Sequence, residues 1–242
     1  MYPIKNTVAF VTGANRGIGR AFVEELLRRD AGRIYAAARS PERLEEVVAL
    51  DRSRIFPVRL DVTDRASVEA AAARAGDVGL LINNAGTLAF GSFLASAPEM
   101  AARDMETNYM GTLYVIRAFA PTLIARGEGA IVNVLSILAL ANMPGIGGYG
   151  ASKAAAFSLT QAVRAELSGQ NVRVHGVFPG PVDTDMIRAL ELPKTSPADI
   201  ARATLDGVEA GVTDILPDAM SKQAYATWLE DPRTLEAQFG AM

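Results

Sequence analysis

The chain has no cysteine among its 242 residues, and it has one histidine and one tryptophan. Without cysteine there is no disulfide framework, no thiol nucleophile and no thiolate metal site. A lone histidine falls short of the ligand set of catalytic zinc and of the paired base of a serine hydrolase. That residue, His175, sits in an apolar run and reads as part of the core. A charge excess is lacking too: 24 basic and 27 acidic residues are well mixed and leave a net charge of −3. This argues against a nucleic-acid partner and against a polybasic membrane patch. Long apolar spans are also missing. The uncharged runs 78–98 and 129–152 contain glycines, a proline and the asparagines Asn83, Asn84, Asn133 and Asn142. They read as buried strands running into loops rather than as membrane helices. The N-terminus shows no basic-then-apolar leader, so a cytoplasmic protein is expected.

What is present is ordinary globular material, half of it apolar and 21% charged. One domain spanning 1–242 is expected. Strands are expected at Thr7–Thr12, Arg33–Ala38, Arg54–Leu60, Gly79–Ile82, Ala130–Leu135, Val172–Val177 and Thr213–Leu216. Helical patterns fall between them: Arg20–Arg29, a helix opened by Ser40-Pro41, an alanine-rich helix at Asp64–Arg74 capped by Thr63, and Tyr149–Leu167. Ser96-Ala97-Pro98-Glu99 reads as a capping box that opens a long helix to about Arg126. Asn108 and Gly111 are poor residues for its interior, which points to a bend or to a function there. Ser196-Pro197 opens a further helix. This alternation predicts an α/β fold, a doubly wound parallel sheet of about seven strands with helices on both faces. The tail 218–242, with Trp228 and Phe239, covers an edge or packs on another subunit.

The first strand ends in Gly13-Ala14-Asn15-Arg16-Gly17-Ile18-Gly19, and a helix follows. Strand, glycine loop and helix form the unit that binds a pyrophosphate: glycines let the backbone approach, and the helix N-terminus offers free N–H groups. The spacing is Gly-x-x-x-Gly-x-Gly, not the common Gly-x-Gly-x-x-Gly. In dinucleotide sites an acidic residue at the end of the second strand binds the ribose hydroxyls and repels a 2′-phosphate. Here that strand ends in Ala37-Ala38-Arg39. With Arg16 in the loop, two arginines and no carboxylate favour NADP(H) over NAD(H). The small and amide residues Asn83-Asn84-Ala85-Gly86, after the fourth strand, suit a close backbone approach to a flat ligand.

Tyr149 and Lys153 are four residues apart and share one face of a helix. A fixed ammonium beside a phenol favours tyrosinate, so the pair forms a general acid/base unit. Moving the phenol from about 10 to about 7 takes only ~4 kcal/mol, within reach of the ammonium plus an oxidised nicotinamide.

With these positions in place the chain resembles the short-chain dehydrogenase/reductase family, as an NADP(H)-preferring, carbonyl-reductase-like member with a Rossmann-type fold. The resemblance rests on Thr12-Gly13-x-x-x-Gly17-x-Gly19, Asp61, Asn83-Asn84-Ala85-Gly86, Asn108, Ser136, Tyr149-x-x-x-Lys153 and Pro179-Gly180. It spans nearly the whole chain, in the family's order and spacing. It implies that Tyr149 protonates the carbonyl oxygen in reduction and that Ser136 hydrogen-bonds the same oxygen. It implies that Lys153 lowers the tyrosine pKa and holds the nicotinamide ribose, and that Asn108 positions a water linking Lys153 to solvent. By the same resemblance Asp61 and Val62 meet adenine, the Asn83–Gly86 turn lines the adenosine ribose, and Pro179, Gly180, Val182 and Thr184 flank the nicotinamide. A homodimer or homotetramer built on the two long helices is the family expectation.

The chain departs from the family in a short substrate lid around 185–197, in a short helix after the third strand, and in His175. The loop after Ser136 is apolar (Ile137, Leu138, Leu140, Met143), with Phe93 and Met186 as expected neighbours. No cation is evident there to grip a carboxylate or phosphate, so a neutral or apolar ketone or aldehyde is the expected substrate. Two other activities fit the same scaffold: a dinucleotide-binding regulator without catalysis, and a dehydratase or epimerase.

Overall fold

The apolar runs alternate in side-chain direction rather than in polarity, so each strand is buried on both faces. In a computed structural model describing residues 1–242, Ala9 and Val11 point into one core layer and Phe10 into the other. Ile34, Ala36 and Ala38 likewise oppose Tyr35 and Ala37, and Leu80 and Ile82 oppose Leu81. The strands are β1 (Val8–Thr12), β2 (Arg33–Ala38), β3 (Ile55–Arg59), β4 (Leu80–Asn83), β5 (Gly129–Val134), β6 (Val172–Val177) and β7 (Asp214–Ile215). They form one parallel sheet of seven strands in the order β3-β2-β1-β4-β5-β6-β7. The direction of winding reverses between β1 and β4, and a crevice opens at their carboxyl ends.

The helices are α1 (Gly17–Arg28), a short α2 (Glu45–Val48), α3 (Arg65–Arg74), α4 (Pro98–Met105), α5 (Gly111–Ala125), α6 (Gly147–Glu166), α7 (Pro197–Ala210), α8 (Ala219–Glu230) and α9 (Pro232–Gly240). No helix is long and apolar enough to cross a membrane. Helices α4 and α5 are one rod joined by a π turn at Glu106–Met110, with Asn108 at its middle. The expected irregularity thus takes the form of a π-bulge, a feature frequent at functional sites.

Two expected caps are replaced. Helix α3 is capped by Asp64, which accepts the Ala66 amide, while Thr63 turns back and donates to Asp61. No capping box forms at α4: Ala97 is the N-cap, and Pro98 supplies a preset φ instead. Ser40 stands at an N-cap without a side-chain bond, before a 3₁₀ turn, whereas Ser196 caps α7 by accepting the Asp199 amide.

The tail does not merely cover an edge. Helix α8 packs Ala224, and α9 packs Leu235 and Phe239, against Ile137, Leu138, Phe157 and Phe178, in a third core layer beside the crevice.

His175 is buried on β6, its Nδ1 lies 2.6 Å from the Val212 carbonyl, and its Nε2 has no partner. Burial pushes its pKa below the ordinary imidazole value. The unfolded chain therefore takes up a proton below about pH 6.5 while the folded chain still resists it. Stability should fall as the pH drops below about 6.5. Urea midpoints across about pH 5–7 for wild type and His175→Asn should show the steeper fall in wild type; parallel curves would contradict this reading.

Candidate active site

The glycine loop is locked to the turn after β4. Thr12 Oγ1 accepts the backbone amides of Asn84 and Ala85, both at 2.9 Å, and Asn84 Nδ2 donates to the Thr12 carbonyl at 2.9 Å. Gly13 and Gly17 have φ of +66° and +54°, where a side chain strains the backbone. Helix α1 begins at Gly17 with no capping side chain and no acidic residue in its first turn. Its leading N–H groups are therefore open to an anion.

From this loop a cleft of about 1080 Å³ runs along the sheet edge. At one end lie Arg39, Asp61 and Val62, with Asn15, Arg16, Gly17 and Ile18 beside them. Ala85 and Gly86 form its middle, Pro179, Gly180 and Val182 flank the far end, where Ser136, Tyr149 and Lys153 converge, and Thr184 reaches back against Gly17. A volume of this size exceeds that of an ordinary drug-sized pocket and suits a dinucleotide with a small second molecule. The glycine cradle, the uncapped helix and a buried ammonium at the far end all fit such a group.

Three expected residues are not in the cleft wall. Gly19 lies behind it, pressed so closely on Gly13 that a Cβ would stand 2.1 Å from the Gly13 carbonyl oxygen. Asn83 turns into the sheet, where its Nδ2 donates to Asn133 Oδ1 at 2.9 Å, and Asn84 takes its place at the cleft. Asn108 is buried with its side chain fully engaged, donating to the Thr87 carbonyl and to Ser152 Oγ and accepting the Thr87 amide.

The acid/base pair also differs from the expected electrostatics. Lys153 Nζ donates to the Val134 carbonyl at 2.7 Å and sits 5.7 Å from the centre of the Tyr149 ring. It lies over the ring and makes no hydrogen bond to the hydroxyl. Burial pushes the Tyr149 phenol up to about 12, against a smaller opposing effect of the Ser136 hydroxyl, and Asp104 raises it further. Burial pushes the Lys153 ammonium down to about 8, which Asp104 partly opposes. In the protein alone the tyrosine pKa thus rises instead of falling, because burial is the largest effect on it and the ammonium is not among the groups that act on it. The phenol therefore keeps its proton at neutral pH.

The apolar wall comprises Leu88, Phe90, Ile137, Leu138, Met143 and Met186, joined by Met220, Phe239 and Met242 from the tail region. Phe90, not Phe93, faces the cleft, and Leu140 faces a neighbouring groove. Cations are present after all: Arg103 and Lys194 line the cleft, the latter with its ammonium 3.4 Å from the Arg188 carbonyl. Asp218, which caps α8, also binds the Gly180 amide at 2.8 Å and so ties the tail to the far end of the cleft. Sequence pattern carried no signal for Arg103, Lys194 or Asp218, because each reaches the site through the fold rather than through a motif.

A doubly wound parallel sheet with a phosphate-type glycine loop and a Tyr-Lys pair at one crevice defines a nicotinamide-dinucleotide oxidoreductase. Residues 7–194 match the family model for short chain dehydrogenases. The chain belongs to that family. A crystal structure of a short chain dehydrogenase from Burkholderia cenocepacia in complex with NADP superposes with a TM-score of 0.93 at 41% identity, covering 98% of this chain and 99% of that one. A short chain dehydrogenase/reductase from Burkholderia phymatum in complex with NAD follows at 0.89 and 27%, covering 100% and 98%. Among characterised relatives, 2-(R)-hydroxypropyl-CoM dehydrogenase of Xanthobacter autotrophicus is 33% identical over 81% of this chain and 82% of its own. A match at 34% to glycine betaine reductase of Emericella nidulans covers 76% of this chain but 15% of that longer protein.

Proposed function

We propose that this oxidoreductase is an NADP(H)-dependent carbonyl reductase, acting in reverse as a secondary-alcohol dehydrogenase, on a neutral or apolar ketone or aldehyde. The observation that carries the reading is the convergence of Ser136, Tyr149 and Lys153 at the apolar end of one continuous cleft. Bound nicotinamide supplies the hydride, and the chain's part is to orient and protonate. Tyr149 holds its proton at neutral pH and delivers it from Oη to the carbonyl oxygen as charge develops there. The Ser136 hydroxyl stabilises the same oxygen. Its Oγ is fixed by accepting the Leu138 amide at 3.1 Å. Lys153 would hold the nicotinamide ribose hydroxyls, and Asn108 would steady its helix through the bond to Ser152. The apolar wall selects a substrate with little charge near the reacting carbon. The segment 185–197 acts as the lid: it is pinned at its base by the pairing of Val182 with Thr195 and touches the glycine loop through Arg16 and Asp185 at 3.4 Å. A homodimer or homotetramer belongs to the same reading and rests on the family alone.

NADP(H) preference rests on Arg39, which lines the cleft, and on the absence of a carboxylate at the end of β2. Arg16 is the second arm, with Asp185 as its present partner. The likeness to an NADP-bound relative supports this choice. Replacing both arginines with Ala should raise the KM for NADPH by ten- to a hundred-fold, roughly the loss of one or two charge-assisted contacts, and leave that for NADH nearly unchanged. Equal rises would sink the assignment. A kinetic screen of carbonyl compounds with NADPH and NADH in parallel tests the reading as a whole.

A further inference from the structure

Asp104 is fully buried on α4, yet no lysine or arginine pairs with it. Its two oxygens take one donor each, Thr87 Oγ1 at 2.8 Å and the Ala89 amide at 3.0 Å. A buried carboxylate held only by neutral donors is unfavourable unless a charge nearby compensates it. A chain of contacts leads from it to the helix turn that carries Tyr149 and Lys153. The Thr87 amide donates to Asn108 Oδ1, and its carbonyl accepts Asn108 Nδ2, both at 2.9 Å. Asn108 Nδ2 also donates to Ser152 Oγ at 2.8 Å, and the fully buried Ser152 donates to the Tyr149 carbonyl at 2.7 Å. Gly86, next to Thr87, lies between the middle of this chain and the ammonium: a Cβ there would lie 3.0 Å from Asn108 Oδ1 and 3.7 Å from Lys153 Nζ.

We propose that Asp104 is a positioning residue for the Tyr149–Lys153 pair, holding the Thr87–Asn108–Ser152 chain in register and serving as the buried counter-charge of the Lys153 ammonium. The proposal rests on the reading of that pair as the proton-transfer unit. Asp104 is the one charged group from another element that acts on both members. Arg103 and Glu106, its neighbours on the same rod, are exposed and act on neither. Without Asp104, Lys153 would be a desolvated ammonium with one carbonyl acceptor and no opposite charge, and its proton would leave at lower pH.

The chain has four lysines, Lys5, Lys153, Lys194 and Lys222, so a lysine Cε NMR titration resolves each of them. The resonance that disappears in Lys153→Met is that of Lys153. In Asp104→Asn it should titrate about one pH unit lower than in wild type. Asp104→Glu, which keeps the charge, should return it most of the way. The high-pH limb of the kcat/KM profile should move with the resonance, whereas a merely structural loss would lower kcat at every pH. An unmoved Lys153 resonance in folded Asp104→Asn overturns the proposal. Should that variant fail to fold, Asp104→Ser removes the charge in a smaller side chain; loss of the fold in both would assign Asp104 to the scaffold and likewise overturn it. Because the titration needs neither cofactor nor substrate, its outcome is independent of whether the redox reading holds.

Discussion

Tyr149→Phe should lower NADPH-dependent carbonyl reduction by about a thousand-fold, within the usual range for a lost general acid, while NADPH binding stays within about twofold. The substitution removes one oxygen and keeps the ring, which packs in the third core layer with Ile137, Leu138 and Ile146. Lys153 keeps its bond to the Val134 carbonyl, which does not involve the phenol. The part of the site that would hold the nicotinamide ribose is therefore untouched. The same structure predicts the shape of the pH profile. With Tyr149 pushed up to about 12, the phenol is protonated across neutral pH, so reduction should stay flat until Lys153, near 8, begins to lose its proton. Turnover with a reducible ketone, NADPH fluorescence titration and the rate between about pH 6 and 9 check these points together. Retained turnover would remove Tyr149 from the mechanism. Binding without turnover in the wild type itself, across a broad ketone panel, would favour the regulator reading instead.

The contrast between what pattern revealed and what it hid has a physical basis. The sheet was legible because each strand is a short β-branched or aromatic run bounded by turn residues. Such a run has few alternatives once helices separate it from its neighbours. The glycine loop was legible because its φ values and close approaches tolerate almost nothing else. Caps were less so: Thr63 and Asp64 are adjacent and both suit an N-cap, and only the backbone decides which one faces the helix. Side-chain direction was hidden too. Asn83 and Asn84 read alike in sequence, but the pleat sends Asn83 into the sheet and leaves Asn84 at the cleft. The sign of the Tyr149 shift was hidden because a four-residue spacing places the ammonium but says nothing of burial, and burial is the larger effect here. The Asp104–Thr87–Asn108–Ser152 chain joins α4, the turn after β4 and α6, and only tertiary packing brings these together.

Gly19→Ala should weaken NADPH binding by roughly a hundred-fold, the equivalent of about 3 kcal/mol, and lower the melting temperature as well. An added Cβ would stand 2.1 Å from the Gly13 oxygen, 2.6 Å from Asn84 Nδ2 and 2.8 Å from the Gly13 carbonyl carbon. Two of these neighbours are backbone, so no rotamer change relieves the clash. The loop cannot simply move away either, because Thr12 and Asn84 bind it to the turn after β4 through four hydrogen bonds. Something in that lock must break. Overpacking of this kind costs about 1–3 kcal/mol of stability. The same displacement takes the leading N–H groups of α1 out of line with the phosphates, and each charge-assisted bond lost there is worth about 1.5–3 kcal/mol. Gly76→Ala is the control, since a Cβ at Gly76 meets nothing within 4 Å. Fluorescence titration with NADPH and a thermal melt of the two variants should separate them clearly. Equal behaviour would mean that the loop relaxes freely and that its close packing is not what holds the phosphate site.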